Sequence, residues 1–170
     1  MVIDMVKEIA YAKINVALEV MDEKDGYHMV NNIMVPISLY DELYLEACND
    51  IYIVDDNIKD NICLKAARLF LDYFNIEGGV KITLKKNIPT SAGLAGGSTD
   101  AAAVLKGLNK LYNVNAKNDE LHYLAKQLGS DVPFFIDCVP ALCTNKGEEV
   151  HPILSALGNI PILLIKPSIG

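Results

Sequence analysis

Apolar and polar residues alternate along the chain from residue 8 to residue 21. Ala10, Ala12, Ile14, Val16, Leu18 and Val20 share one face, and Tyr11, Lys13, Asn15, Ala17 and Glu19 share the other. Period two predicts a strand with one buried face. Asp25-Gly26 signals a turn, and residues 30–39, 42–47 and 51–54 read as further strands separated by turn residues, so the chain opens antiparallel. At 61–75 the period changes: Cys63, Ala66, Ala67, Phe70, Tyr73 and Phe74 form a helical stripe, which Gly78-Gly79 ends. A strand over 80–86 leads into a glycine-rich segment. A helix follows it, with Ala101, Val104, Leu105, Leu108, Leu111 and Tyr112 at helical spacing. Leu121, Leu124, Ala125 and Leu128 predict a second short helix with Asn118 as its cap and Gly129 as its stop. Pro133 is placed to begin one more short helix, with Asp131 as a cap. A hairpin over 141–154 around Lys146-Gly147 and a strand over 160–166 complete the pattern.

Composition narrows the class. The chain has 170 residues, enough for one domain with a sizeable core, and 51% of them are hydrophobic. The net charge of −7 argues against nucleic acid or an anionic membrane as a partner, though a local basic patch still suits a phosphorylated small molecule. Lys81, Lys85 and Lys86 are candidates for such a patch, two of the three being expected on a solvated strand face. Cys48, Cys63, Cys138 and Cys143 form no Cys-x-x-Cys pair and no zinc spacing, and their apolar neighbours predict buried, reduced thiols. Asp4, Lys7 and Glu8 interrupt any secretory signal, and no run of about 18 apolar residues suggests a membrane span. A reducing cytoplasm fits these features. Nothing in the chain repeats, and no low-complexity linker divides it.

The richest chemistry lies in Pro89-Thr-Ser-Ala-Gly-Leu-Ala-Gly-Gly-Ser-Thr-Asp100, between the strand and the helix. Glycines let backbone approach a ligand closely, and the first amides of a helix have no internal partner. Those amides and the helix dipole favour an anion, most often a phosphate. Ser98 and Thr99 add hydroxyls that suit a cap, a phosphate or a metal. An ordinary glycine-rich turn has the same composition, so the loop alone leaves both readings open. A P-loop is excluded because no Lys follows Gly97, and the dinucleotide fingerprint because Ala95 stands two residues after Gly93. Three other places carry candidate groups. Lys13 and Asn15 share a strand face about 7 Å apart. Tyr27 and His28 place an aromatic ring beside an imidazole, suited to stacking on a flat base and bonding its edge. Asp131 is a carboxylate beside the apolar run Val132-Pro-Phe-Phe135.

Residues 89–99 follow the pattern Pro-x-x-x-Gly-Leu-Gly/Ala-Gly-Gly-Ser-Ser/Thr, which resembles the phosphate loop of the GHMP kinases. Ala12-Lys-Ile-Asn15, Asp25-Gly-Tyr-His28, Asp100-Ala-Ala102 and Leu128-Gly-Ser-Asp-Val-Pro-Phe134 agree with one branch of that family. The branch phosphorylates 4-diphosphocytidyl-2-C-methyl-D-erythritol on its 2-hydroxyl, in non-mevalonate isoprenoid synthesis. The resemblance implies an α+β fold of the ribosomal protein S5 domain 2-like type. It is a twisted, mainly antiparallel sheet packed against helices, with a left-handed βαβ crossover that departs from the usual hand. It implies ATP with Mg²⁺ as cofactors, the metal riding on ATP near Ser98 without a fixed protein site. Carried over by position, Lys13 and Asp131 are the catalytic pair. Pro89, Thr90, Ser91, Ala92, Gly93, Leu94, Ala95, Gly96, Gly97, Ser98 and Thr99 hold the ATP phosphates. Asn15, Tyr27 and His28 contact the substrate, Tyr27 and His28 at its cytosine, and Asn61 lies near the nucleotide.

The family continues past the counterpart of Lys166 into a second domain with another glycine-rich motif. Residues 1–166 are therefore expected to be the ATP-binding N-terminal domain, and 167–170 the start of a connection. By itself the chain is expected to turn over little and to self-associate through an uncovered interdomain face. Two other readings stay open: a nucleotide-binding module without catalysis, and a GHMP kinase for another small alcohol.

Overall fold

A computed structural model describes residues 5–24, 26–54, 61–154, 158 and 160–167. Strand β1 (Val6–Lys24) turns at Gly26, where φ is 79°, into β2 (Tyr27–Cys48). β3 (Tyr52–Ile53) is followed by helix α1 (Ile62–Tyr73), then β4 (Gly79–Lys85). The glycine-rich segment leads into α2 (Gly96–Leu111), and α3 (Asn118–Leu128) and α4 (Phe134–Asp137) follow it. β5 (Ala141–Thr144) and β6 (Glu149–Pro152) form the last hairpin.

β2 is the spine of the sheet. β1 lies antiparallel along one side of it, from Val6 opposite Leu45 to Lys24 opposite Tyr27. Its other side is shared: β4 pairs with Glu42–Cys48, and β5 with Asn32–Met34. β3 and β4 run parallel with α1 between them, so the antiparallel sheet contains one βαβ crossover. The helices cover a single face. Phe70 of α1, Leu105 and Leu108 of α2, and Leu124 of α3 are fully buried, as are Met34, Leu43, Leu45, Val80 and Ile82 of the sheet. Across the sheet, Tyr11 and Tyr40 meet edge to face and Lys81 pairs with Glu46 at 2.8 Å, a solvated surface. Lys81 and Lys85 lie on it, as expected of two of the three lysines.

Several expectations are corrected. The break between 39 and 42 does not exist: β2 runs through Tyr40 and Asp41, and Asp41 is fully buried in line with Leu43 and Leu45. Alternation in β1 fails at its bulges, between Tyr11 and Lys13 and between Asn15 and Ala17. A bulge gives one strand an extra residue and re-aims its side chains. Ala12 and Lys13 are consequently both buried, Lys13 to 5% exposure, while Val16, Leu18 and Val20 are exposed. Helix α2 begins five residues before Ala101, at Gly96, and so takes in Gly96–Asp100. Asn118 is the first residue of α3 and not its cap; the Lys117 amide at that end donates to Glu120 Oε2 at 2.9 Å. No side chain caps α4, so Asp131 does not act there. Residues 160–166 form no strand. Among the described residues no strand pairs with them, and Leu163 and Ile165 stay 84% and 79% exposed. Asp25 lies outside the described residues.

Gly79, at the start of β4, backs directly onto main chain. A Cβ there would stand 2.3 Å from the Asp50 carbonyl, whereas one at Gly97 would meet Ile62 Cγ2 at an ordinary 3.7 Å. Gly79→Ala is expected to lower stability by about 2 kcal/mol or more through forced backbone movement. Gly97→Ala is expected to stay within about 1 kcal/mol of the parent. Urea unfolding of both variants checks the contrast.

Candidate active site

The site is a cleft of about 420 Å³ whose lining includes Lys13, Lys86, Asp131 and Pro89–Gly97. Its floor is the glycine-rich loop. Ser91, Gly93 and Ala95 have φ of 52°, 72° and 55°, so left-handed residues alternate with ordinary ones. Such alternation turns successive amides towards a common concavity, an arrangement that suits anions. The loop runs into α2, whose N-cap is Ala95 with no side-chain capping bond. Ser98 and Thr99 therefore do not cap the helix. The Thr99 amide bonds back to Ala95 O at 3.0 Å. The amides of Gly96, Gly97 and Ser98 precede it and have no intrahelical acceptor, so the positive end of α2 opens at the cleft.

β1 supplies the opposite wall. It is an edge strand, and the outward amide of Lys13 donates to Leu94 O at 3.2 Å. That bond fastens the loop to the sheet edge. Ala12, Ile88 and Leu94 form a small buried cluster beneath it. The Lys13 ammonium donates to Asn15 Oδ1 at 2.9 Å and faces Asp131 Oδ2 at 3.8 Å, beyond hydrogen-bonding distance. The Lys13 side chain is 6% exposed and that of Asp131 36%, so the carboxylate is the group that meets solvent. A buried ammonium with one neutral acceptor and one distant carboxylate favours a further anion in the cleft. Cys143 lies close by, its thiol pushed up to about 12 by burial and by the Asp131 charge.

Beneath the loop lies a second charged group. Lys86 bridges the buried carboxylates of Asp41 and Asp100, the latter at 2.7 Å. Asp41 also accepts the Asn87 and Ile88 amides, Ile88 at 2.8 Å. Burial pulls the Lys86 ammonium down, but the Asp100 and Asp41 carboxylates outweigh it and the net shift is upward. Two buried carboxylates share one ammonium. Asp41 has two amides besides it, whereas Asp100 Oδ1 is buried without a partner. Burial raises the Asp100 carboxyl to about 7 against the pull of Lys86.

Of the residues singled out from the sequence, Pro89–Gly97, Lys13 and Asp131 come together at the cleft. Asn15 joins them through Lys13. Ser98 is half-buried and Thr99 is buried, and neither is part of the cleft lining. Asn61 caps α1, accepting the Cys63 amide at 2.9 Å, and the next residue, Ile62, packs near Gly97. Tyr27 and His28 are not part of the cleft lining; they lie at the turn end of the β1–β2 ribbon, where the Val30 amide donates to Asn145 O at 2.7 Å. Lys13 is opposite Pro36, and His28 lies eight residues earlier on β2, at most about 26 Å along an extended strand. The exposed Tyr27 ring carries the Lys146 ammonium 3.6 Å from its centroid. Sequence reasoning missed Lys146 and Asp41. The signal for Asp41 was a carboxylate at a period-two position in register with Leu43 and Leu45.

Among the described residues, no group of three His, Cys, Asp or Glu side chains is placed to hold a metal ion, and no helix is long and apolar enough to cross a membrane.

Fold and site together define a class. Residues 61–138 match the family described as GHMP kinases N terminal domain, and the fold is that of such a domain. Within that class it is 46% identical over 170 residues to a 4-diphosphocytidyl-2-C-methyl-D-erythritol kinase of Clostridium beijerinckii, covering 95% of this chain and 60% of that protein. A Clostridium botulinum protein of the same name is 45% identical over the same shares of the two chains. A crystal structure of 4-(cytidine 5'-diphospho)-2C-methyl-D-erythritol kinase superposes with a TM-score of 0.78 at 38% identity, over 87% of this chain and 55% of that one. Methanococcus jannaschii mevalonate kinase shares the fold, with a TM-score of 0.64 at 19% identity, over 88% of this chain and 56% of that one. The chain thus spans about 60% of the length of the curated relatives it matches.

The raised Asp100 acid has a consequence for stability. Its value is about 7 in the fold, against about 3.9 in an unfolded chain. Folding takes up a proton between those values, so this group makes stability fall as pH rises from about 4 to about 7, and adds no further slope above that. Asp100→Asn is expected to flatten that slope. Urea midpoints of parent and variant at about pH 4.5 and about pH 7.5 measure it.

Proposed function

We propose that this chain is the ATP-binding, N-terminal part of a kinase that phosphorylates the 2-hydroxyl of 4-diphosphocytidyl-2-C-methyl-D-erythritol. The observation that carries the reading is the buried Lys13 ammonium, 3.8 Å from Asp131 at the mouth of the glycine loop. The loop amides, the open end of α2 and Lys13 fit a chain of phosphates. Mg²⁺ carried by ATP neutralises phosphate charge, and Ser98 is the residue assigned beside it. Residues 1–166 are assigned to this domain, and Cys48, Cys138 and Cys143, none of them in a disulfide, suit a reducing cytoplasm.

Phosphoryl transfer needs positioning and charge stabilisation more than covalent help. Asp131 is exposed enough to meet the incoming hydroxyl and takes its proton as the oxygen attacks phosphorus. Lys13 is held from behind by Asn15 Oδ1, which directs the ammonium towards the cleft. There it stabilises the oxygens of the group in transit. The spacing within the site bears on the substrate. A base held at Tyr27 and His28, with Lys146 over the ring, is a second point of contact besides the hydroxyl at Asp131, on the hairpin whose Gly147 adjoins Asp131. That suits an elongated molecule with a base at one end and a polyol at the other. A compact alcohol would leave the outer end of the ribbon unused.

The test uses the chain alone and joined to the C-terminal remainder of the Clostridium beijerinckii relative. Asp131→Asn is expected to lower kcat by about 10²–10⁴ while ATP and substrate still bind. Lys13→Met is expected to lower it too, and the double variant to lose less than the product of the two, as groups acting together do. Melting temperature controls for folding. An Asp131→Asn enzyme within about threefold of the parent would place the base elsewhere. Failure of cytidine nucleotides to compete with substrate would favour another small alcohol.

A further inference from the structure

The loop that lines the cleft makes few strong bonds of its own. Ser91, Gly93 and Ala95 take left-handed backbone, and besides the Lys13 amide on Leu94 O the loop is held at its two ends. Both ends converge on one side chain. At the entrance, the Asn87 and Ile88 amides donate to Asp41 Oδ1, and Asn87 Nδ2 donates to Tyr40 O at 3.0 Å. At the exit, Asp100 of α2 reaches Asp41 through the Lys86 ammonium. Asp41 itself is fixed: it is fully buried, and in the sheet it stands opposite Ala10, three residues before Lys13. A carboxylate accepting two amides and an ammonium makes charge-assisted bonds, stronger than neutral ones. A Cβ at Gly96 would approach both Ile88 Cγ2 and Lys86 Nζ to 3.2 Å, so helix start and loop entrance are packed together here with little slack.

We propose that Asp41 is a positioning residue that sets the phosphate loop against β1, by fixing the loop's entrance directly and its exit through Lys86 and Asp100. The inference rests on the reading of the loop as an ATP site. It does not place Asp41 on the nucleotide. Asp41 acts through residues 86–88 and α2, and its loss alters where the loop amides point. Positioning errors of this kind weaken binding and transfer without removing a reacting group.

The test compares Asp41→Asn with the parent, in the chain alone and joined to the same C-terminal remainder. Asparagine keeps the size and one oxygen for the amides but withdraws the charge that Lys86 needs. ATP affinity is measured calorimetrically, well below the melting temperature of each protein. Asp41→Asn is expected to bind ATP at least about tenfold more weakly, and KM for ATP to rise more than kcat falls. A purely structural role lowers the melting temperature and leaves ATP affinity of the folded protein unchanged; that result overturns the proposal. Hydrogen exchange in the parent gives a reading that does not require the variant to fold. The Asn87 and Ile88 amides are expected to be strongly protected, and exchange near the free-peptide rate overturns the clamp. A parent that binds no ATP at all defeats the reading of the site instead, and is told apart by the same calorimetry.

Discussion

The cleft exists because an edge strand is covered by a loop. β1 pairs with β2 on one side only, so its outer amides need acceptors or water. The Lys13 amide finds Leu94 O at 3.2 Å, in the middle of the glycine loop. One backbone bond therefore joins the residue whose ammonium enters the cleft to the segment that lines it. The bulge between Tyr11 and Lys13 makes the geometry work by turning Lys13 inward where strict alternation would place it in solvent. Ala12, Ile88 and Leu94 then pack beneath the junction. Without that bulge the loop would still cover an edge, but the ammonium would not lie under it.

Much of this was legible in the sequence. The helices α1, α2 and α3 announce themselves by period, and the glycine loop by its small residues between a strand and a helix. The cleft group of Lys13, Asp131 and Pro89–Gly97 follows from motif positions and is brought together in space. What was not legible depends on contacts distant in sequence. Period two cannot foresee a bulge, because a bulge is a property of the pair of strands and not of either one. Asp41 looked like a turn residue because a carboxylate is rare inside a sheet. Only the arrival of Lys86, Asn87 and Ile88, from the end of β4 and beyond, makes its burial tolerable. Residues 160–166 show the converse error: an apolar run is a strand only where another strand offers an edge.

The two lysines of the cleft illustrate opposite solutions to the burial of charge. Lys86 is saturated by two carboxylates and serves the architecture. Lys13 has one amide oxygen at 2.9 Å and one carboxylate at 3.8 Å, and so retains attraction for an anion that arrives. Lys13 is thus the less compensated of the two ammonium groups.

That asymmetry bears on which readings of the chain remain attractive. A nucleotide-binding module without catalysis needs the loop and the open end of α2, but it has no use for a solvent-facing carboxylate opposite a buried ammonium. Asp131 caps no helix, so its position is not explained by local structure. An acceptor hydroxyl explains it, because the carboxylate then has a proton to take and the ammonium a charge to meet. The ribbon beyond Asn15 adds a second constraint. Its end presents Tyr27 beneath the Lys146 ammonium, on the hairpin whose Gly147 adjoins Asp131. Under the proposed function the carboxylate and the aromatic platform answer to two separate parts of one substrate, its acceptor hydroxyl and its base.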